Sequence, residues 1–227
     1  MEKSQINLCL QVLKKLHQAG VLDGIIIIGS WALYFYSFYF EKNAYVPDIR
    51  TRDIDFLVPI PPKFKNKTDI PDILKDLGFI INFKGSDGYI RLDHPELIVE
   101  FLIPEFGRDH DKPYPLPDLG LNAQPLRYLS FLTEHMITIS YDGLKLRFPH
   151  PASHALHKLI VFGRRKSKDK ADKDKVQALN LLHFMVKNEQ NTDEMKKIFK
   201  SMHKKWQKTI LNSLEKLDEK NLILILT

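Results

Sequence analysis

The sequence predicts an α/β (α+β) architecture, a mixed sheet with flanking helices followed by a C-terminal helical region. Three observations lead there. Short β-branched and aromatic runs, IIII, DIDFLV, FIINFK, YIRLD and LIVEFLI, alternate with helix-like stretches and turn residues before residue 150. EHMITISY and LKLRFP flank an Asp-Gly pair at 142–143, a strong hairpin signal. From Pro151 onward only helical periodicity remains. The division expected is therefore residues 1–150 as a sheet-bearing domain and 151–227 as a basic helical domain.

Taken in order, residues 4–19 place Ile6, Leu8, Val12, Leu13 and Leu16 on one apolar stripe ended by Gly20, which predicts a packing helix. Four isoleucines, 25–28, are too few for a helix and read as a buried strand breaking at Gly29-Ser30. A helix can start at Ser30 and carries the aromatic run YFYSFYF, either core or a wall on which a base stacks. A polar connection (41–50), the strand DIDFLVP stopped by Pro59, and a proline-lysine loop follow. DIPDILKDLG reads as a helix capped by Gly78. Three strands separated by short turns then imply antiparallel hairpins, and residues 104–125, rich in Pro, Gly and Asp, read as an irregular surface segment. The last part predicts helices near 152–165, 169–187, 192–203 and 205–218.

At 227 residues and 44% hydrophobic, the chain suits a well-buried globular fold. Its one cysteine, Cys9, rules out an intrachain disulfide or a cysteine-based zinc framework, so a reducing, cytoplasmic setting is expected. No apolar run is long enough to cross a membrane, and no export signal is expected at the N-terminus. Charge is uneven: 17 basic against 19 acidic residues up to His150, and 17 against 9 from Pro151. A basic second half suits an anionic partner such as phosphate or nucleic acid, although a solvated lysine-rich helical surface is the commoner source of such a balance.

The chemistry concentrates around TRDIDFLV. A strand directs Asp53 and Asp55 to one face, about 7 Å apart, where they repel unless a cation or basic partner intervenes. Before them, Gly29 lets a phosphate approach the backbone, Ser30 offers a hydroxyl, and a helix N-terminus presents N–H groups. That half favours a polyphosphate, and the aspartates are hard oxygen ligands suited to Mg²⁺ (or Mn²⁺). Glu100, a lone acid in LIVEFLI, supplies a third carboxylate for in-line displacement. Its bland alternative is a strand-end glutamate turned to solvent. His150, His154 and His157 have helical spacing but no completing acid or cysteine, so packing or surface roles outrank zinc. No Gly-x-Ser-x-Gly elbow occurs, which disfavours a serine hydrolase.

IIIIGS, a helix, TRDIDFLV and LIVEFL together resemble the active-site signature of the DNA polymerase β-like nucleotidyltransferase superfamily. ALHKLIVFGRRKSKDKADKDKVQAL is similar to a segment of its bacterial stand-alone, abortive-infection and toxin-antitoxin members. The resemblance implies a nucleotidyltransferase fold and an enzyme moving a nucleoside monophosphate from an NTP to a hydroxyl of RNA, protein or a small molecule. It implies that Gly29 and Ser30 meet the triphosphate, that Asp53, Asp55 and Glu100 hold Mg²⁺, and that Lys158 and Arg164 or Arg165, on the first C-terminal helix, reach phosphate or nucleotide, with Asp174 positioned on the next helix. An antitoxin partner is a further implication. Two departures stand out: a long connection from Ser30 to Asp53, and Ser30 in place of the usual second glycine. The competing class is a non-catalytic nucleotide- or nucleic-acid-binding module of the same fold.

Overall fold

In the computed structural model, which describes residues 2–40, 45–47, 51–85, 88–105 and 112–227, the chain divides into two units. The first runs to Ala44 and from Ile49 to Phe148; the second comprises Tyr45–Asp48 and Pro149–Thr227. Much of the expected connection at 41–50 lies outside the described residues.

The first unit opens with α1 (Lys3–Gln18), whose buried stripe is Leu8, Cys9, Val12, Leu13 and Leu16. Then come β1 (Ile26–Ile28), α2 (Gly29–Tyr39), β2 (Asp53–Leu57) and α3 (Ile70–Lys75). Asp69 caps α3, its carboxylate accepting from the Asp72 amide at 3.0 Å. Next are β3 (Ile80–Lys84), β4 (Tyr89–Asp93), β5 (Ile98–Pro104), β6 (Tyr114–Leu116) and β7 (Leu121–Leu126). The strand order is β1-β2-β5-β4-β3, with β2 and β5 parallel and the pairs β1–β2, β5–β4 and β4–β3 antiparallel. One face of β2 and β5 carries Ile54, Phe56, Val99 and Phe101, all buried, with the two phenyl rings 5.4 Å apart. Each such side chain contributes roughly 1.5–3 kcal/mol by leaving water. That hydrophobic face anchors the two strands, which frees the opposite face for polar residues.

One segment differs from the sequence expectation. Among the described residues of the 104–125 segment, β6 and β7 form an antiparallel pair, and β7 runs parallel to the end of β5, Leu102 opposite Gln124. The prolines that suggested a loop, Pro115 and Pro125, sit in strands too short to show a period. Asn122 joins β7 to β4, accepting from the Ile90 amide at 2.8 Å and donating to the Gly88 carbonyl at 3.1 Å. Residues 106–111 lie outside the described set.

A separate hairpin, β8 (Met136–Tyr141) and β9 (Leu144–Pro149), turns through Asp142 and Gly143, both with positive φ as a type I′ turn requires. Tyr141 stacks edge-on with Phe35 and Phe38, and Phe148 packs against Phe35 and Tyr36. Phe35 and Tyr36 are fully buried, so the YFYSFYF run contributes core residues.

The second unit is helical: α4 (Pro151–Val161), α5 (Lys168–Met185), α6 (Glu189–Ser201), α7 (Lys204–Lys216) and α8 (Lys220–Leu226). Side chains cap four of them, with His150, Ser167, Asn188 and His203 each accepting a first-turn amide. Ser213 of α7 donates to the Leu159 carbonyl of α4 at 3.0 Å. Tyr45 joins this unit through Phe184, ring centroids 5.2 Å apart. No described helix is long and apolar enough to cross a membrane.

Candidate active site

The sheet register brings the sequence motifs together. Ile28 lies opposite Asp55, Asp55 opposite Glu100, Glu100 opposite Arg91, and Arg91 opposite Asn82, one line across five strands. Adjacent strands are about 4.8 Å apart, so Asp55 and Glu100 are immediate neighbours. Asp53, two residues back, shares their face by the two-residue period.

Gly29 follows Ile28 and adopts φ +69°, a left-handed conformation that an L side chain rarely takes. A Cβ here would also run into the Asp55 carboxylate. Glycine therefore permits both the turn from β1 into α2 and the close approach of backbone to carboxylate. Ser30 sits in the first turn of α2, 8% exposed, while Ile28 is the N-cap.

Two cations absent from the sequence reading complete this face. The Lys84 ammonium lies 2.9 Å and 3.0 Å from the two Glu100 oxygens. Arg91 is spent on Asp93, Nη2 donating to Oδ2 at 2.7 Å, and Asn82 donates to the same oxygen at 2.8 Å. The hydrogen bond to Asp93 holds the Arg91 guanidinium above its ordinary range against the opposing effect of burial, and the fields of Asp93, Glu100 and Asp53 add to it. The signal for both cations was present in principle. In the hairpin FIINFK/YIRLD they are the basic residues whose period-two positions match the acids across the sheet.

Three carboxylates on two adjacent strands form a hard oxygen donor set of the kind Mg²⁺ accepts, beside a glycine backbone that leaves room. In donor chemistry and strand position the set suits a divalent ion. Among the described residues, however, no three Asp, Glu, His or Cys side chains converge around one metal-sized volume, and Glu100 directs both oxygens to Lys84.

The basic residues singled out after Pro151 belong to the second unit and are assembled with one another. Asp174 of α5 accepts from Lys158 of α4 at 2.6 Å and from Arg165 at 2.7 Å. Lys158 and Asp174 are buried, whereas the Arg165 side chain is 43% exposed and Arg164 lies exposed in the turn Phe162–Arg164. Burial alone would raise the Asp174 carboxyl, but the two cations outweigh it and hold the group below the usual carboxylate range. His154 and His157 flank this pair. Burial, reinforced by Lys158, pushes His154 well below the ordinary imidazole value and His157 down to about 3. His150 caps α4 through Nδ1 and meets Glu194 through Nε2 at 3.1 Å.

Comparison with known proteins yields one family and one fold. A nucleotidyltransferase family model matches residues 7–204. An antigenic nucleotidyltransferase-like protein from Paracoccidioides brasiliensis shares the fold at 14% identity and TM-score 0.52, over 96% of this chain and 91% of its own. The antibiotic-resistance factor ANT(2'')-Ia aligns at 12% identity and TM-score 0.45, over 88% of this chain and 94% of its own. No curated protein sequence matches. Because the family model spans most of the chain, including the β1–α2 turn, the Asp-x-Asp strand and Glu100, the protein belongs to the nucleotidyltransferase family, a family of transferases that move nucleoside monophosphates.

Proposed function

We propose that this chain transfers a nucleoside monophosphate from an NTP to a hydroxyl acceptor at the Asp53–Asp55–Glu100 face, with Mg²⁺ or Mn²⁺ as cofactor. The observation that carries the reading is the register line that sets Asp55 beside Glu100, with the Gly29 backbone against the Asp55 carboxylate. Gly29 and the first turn of α2 receive the triphosphate, and Asp53, Asp55 and Glu100 hold the metal. When bound, the metal neutralises phosphate charge and orients the displacement. The acceptor oxygen forms its bond to the α-phosphorus as the bond to the bridging oxygen breaks. Pyrophosphate leaves with that electron pair, and the hydroxyl proton passes to a carboxylate of the line, Glu100 in this reading. The acceptor is a hydroxyl of RNA, protein or a small molecule.

The test is label transfer from α-labelled NTP to RNA, protein and small-molecule fractions, with calorimetric NTP titration in the presence and absence of Mg²⁺. Transfer is expected to need Mg²⁺ or Mn²⁺ and to fall at least about a hundredfold in Asp55→Asn. Mg²⁺-dependent NTP binding without transfer to any fraction would favour a non-catalytic module. Binding that is unchanged in both Asp53→Ala and Asp55→Ala would move the site elsewhere.

A further inference from the structure

Glu100 stands in register beside Asp55, yet its carboxylate is taken up on both oxygens by Lys84. Lys84 projects from β3, the last strand of the described sheet path, and reaches past β4 to get there. The two cations on this face differ in how firmly they are held. Arg91 is tied to Asp93, whose other donor is Asn82, and it lies within the sheet. The Lys84 side chain is 40% exposed, on a strand whose neighbouring Ile80, Ile81 and Phe83 are 67%, 52% and 64% exposed. Little packing restrains it, and its flexible four-carbon stem lets the ammonium leave without moving the backbone.

We propose that Lys84 is a positioning residue that stands in for the divalent ion on Glu100, so that metal loading requires Lys84 to give up the carboxylate. With Lys84 in place, both Glu100 oxygens are taken up by its ammonium, and no three-carboxylate metal cluster is formed among the described residues. Once Lys84 swings outward, Glu100 can turn toward Asp55, its neighbour in the register. Lys84 thereby sets how tightly the site takes metal. This inference rests on the metal reading above.

The test is Mn²⁺ titration of the full chain, without nucleotide, by electron paramagnetic resonance and calorimetry. With its Lys84 end 40% exposed, the ion pair is modest in strength, so Lys84→Met is expected to tighten Mn²⁺ binding by about three- to fivefold. Lys84→Arg, whose fork can keep both Glu100 oxygens, should bind no tighter than the parent. In a Glu100→Gln background, Lys84→Met should change Mn²⁺ affinity by less than about 1.5-fold. Unchanged or weaker Mn²⁺ binding by Lys84→Met overturns the proposal, as does a full-sized effect that persists in Glu100→Gln. Should Lys84→Met not fold, Lys84→Gln carries the same expectations. Parent binding that survives Asp53→Ala and Asp55→Ala would instead defeat the metal site itself, a separate result.

Discussion

Asp174 shows how much a single carboxylate can hold. It is the shared acceptor of Lys158 and Arg165, and with Lys158 it is buried between α4 and α5. Removing its charge leaves the Lys158 ammonium desolvated without a counterion, the costly way to break a buried pair. Asp174→Asn should therefore lower stability by about 3–5 kcal/mol, read as a fall in the urea midpoint of helical circular dichroism. Lys158→Met should cost much less, because Arg165 still balances Asp174 and a thioether stem fills the space. Asp174 and Lys158 were visible in the sequence as charged residues within helical periodicity, but their pairing was not. Sixteen positions separate them, and only the α4–α5 packing shows that the two charges meet.

At the scale of elements, the β1–α2 junction is where backbone geometry and candidate chemistry coincide. Gly29→Ala must force a left-handed backbone on an L residue, worth roughly 1–2 kcal/mol, and must also push the Asp55 carboxylate aside. We expect a loss of at least about 1 kcal/mol in unfolding free energy together with a loss of Mg²⁺-dependent NTP binding, measured by denaturation and calorimetry on the same variant. An alanine at Gly85, which also has positive φ but nothing near a Cβ, should carry only the backbone cost. Most of the elements that build this junction were legible, because IIII, DIDFLV and LIVEFLI combine β-branched runs with clear stops. β6 and β7 were hidden by prolines in strands of three and six residues. Lys84 and Arg91 escaped notice for another reason: a cation's place opposite an acid depends on register across three strands, which no local pattern contains.

For the whole molecule, the two units should respond differently to acid. His154 and His157 lie in the second unit and are held neutral by burial and by Lys158, while the unfolded chain protonates them near pH 6.5. Their folded values are depressed, so the stability they represent is complete above about pH 6.5 and drains as pH falls toward the folded values. Each histidine then withdraws about 1.4 kcal/mol per pH unit. Asp174, also depressed, adds its own loss only below about pH 4, so it leaves the window between pH 7 and 5 to the histidines. The chain carries its own reporters: Trp31, fully buried in the first unit, and Trp206, in α7 of the second. Trp206→Phe leaves Trp31 as the sole tryptophan emitter, and the difference from the parent isolates Trp206. Between pH 7 and 5, the Trp206 urea midpoint should fall markedly more than the Trp31 midpoint, and His154→Gln should blunt that difference. Equal shifts at both tryptophans would mean that the buried imidazoles are not what acid attacks first, or that the two units unfold as one cooperative block.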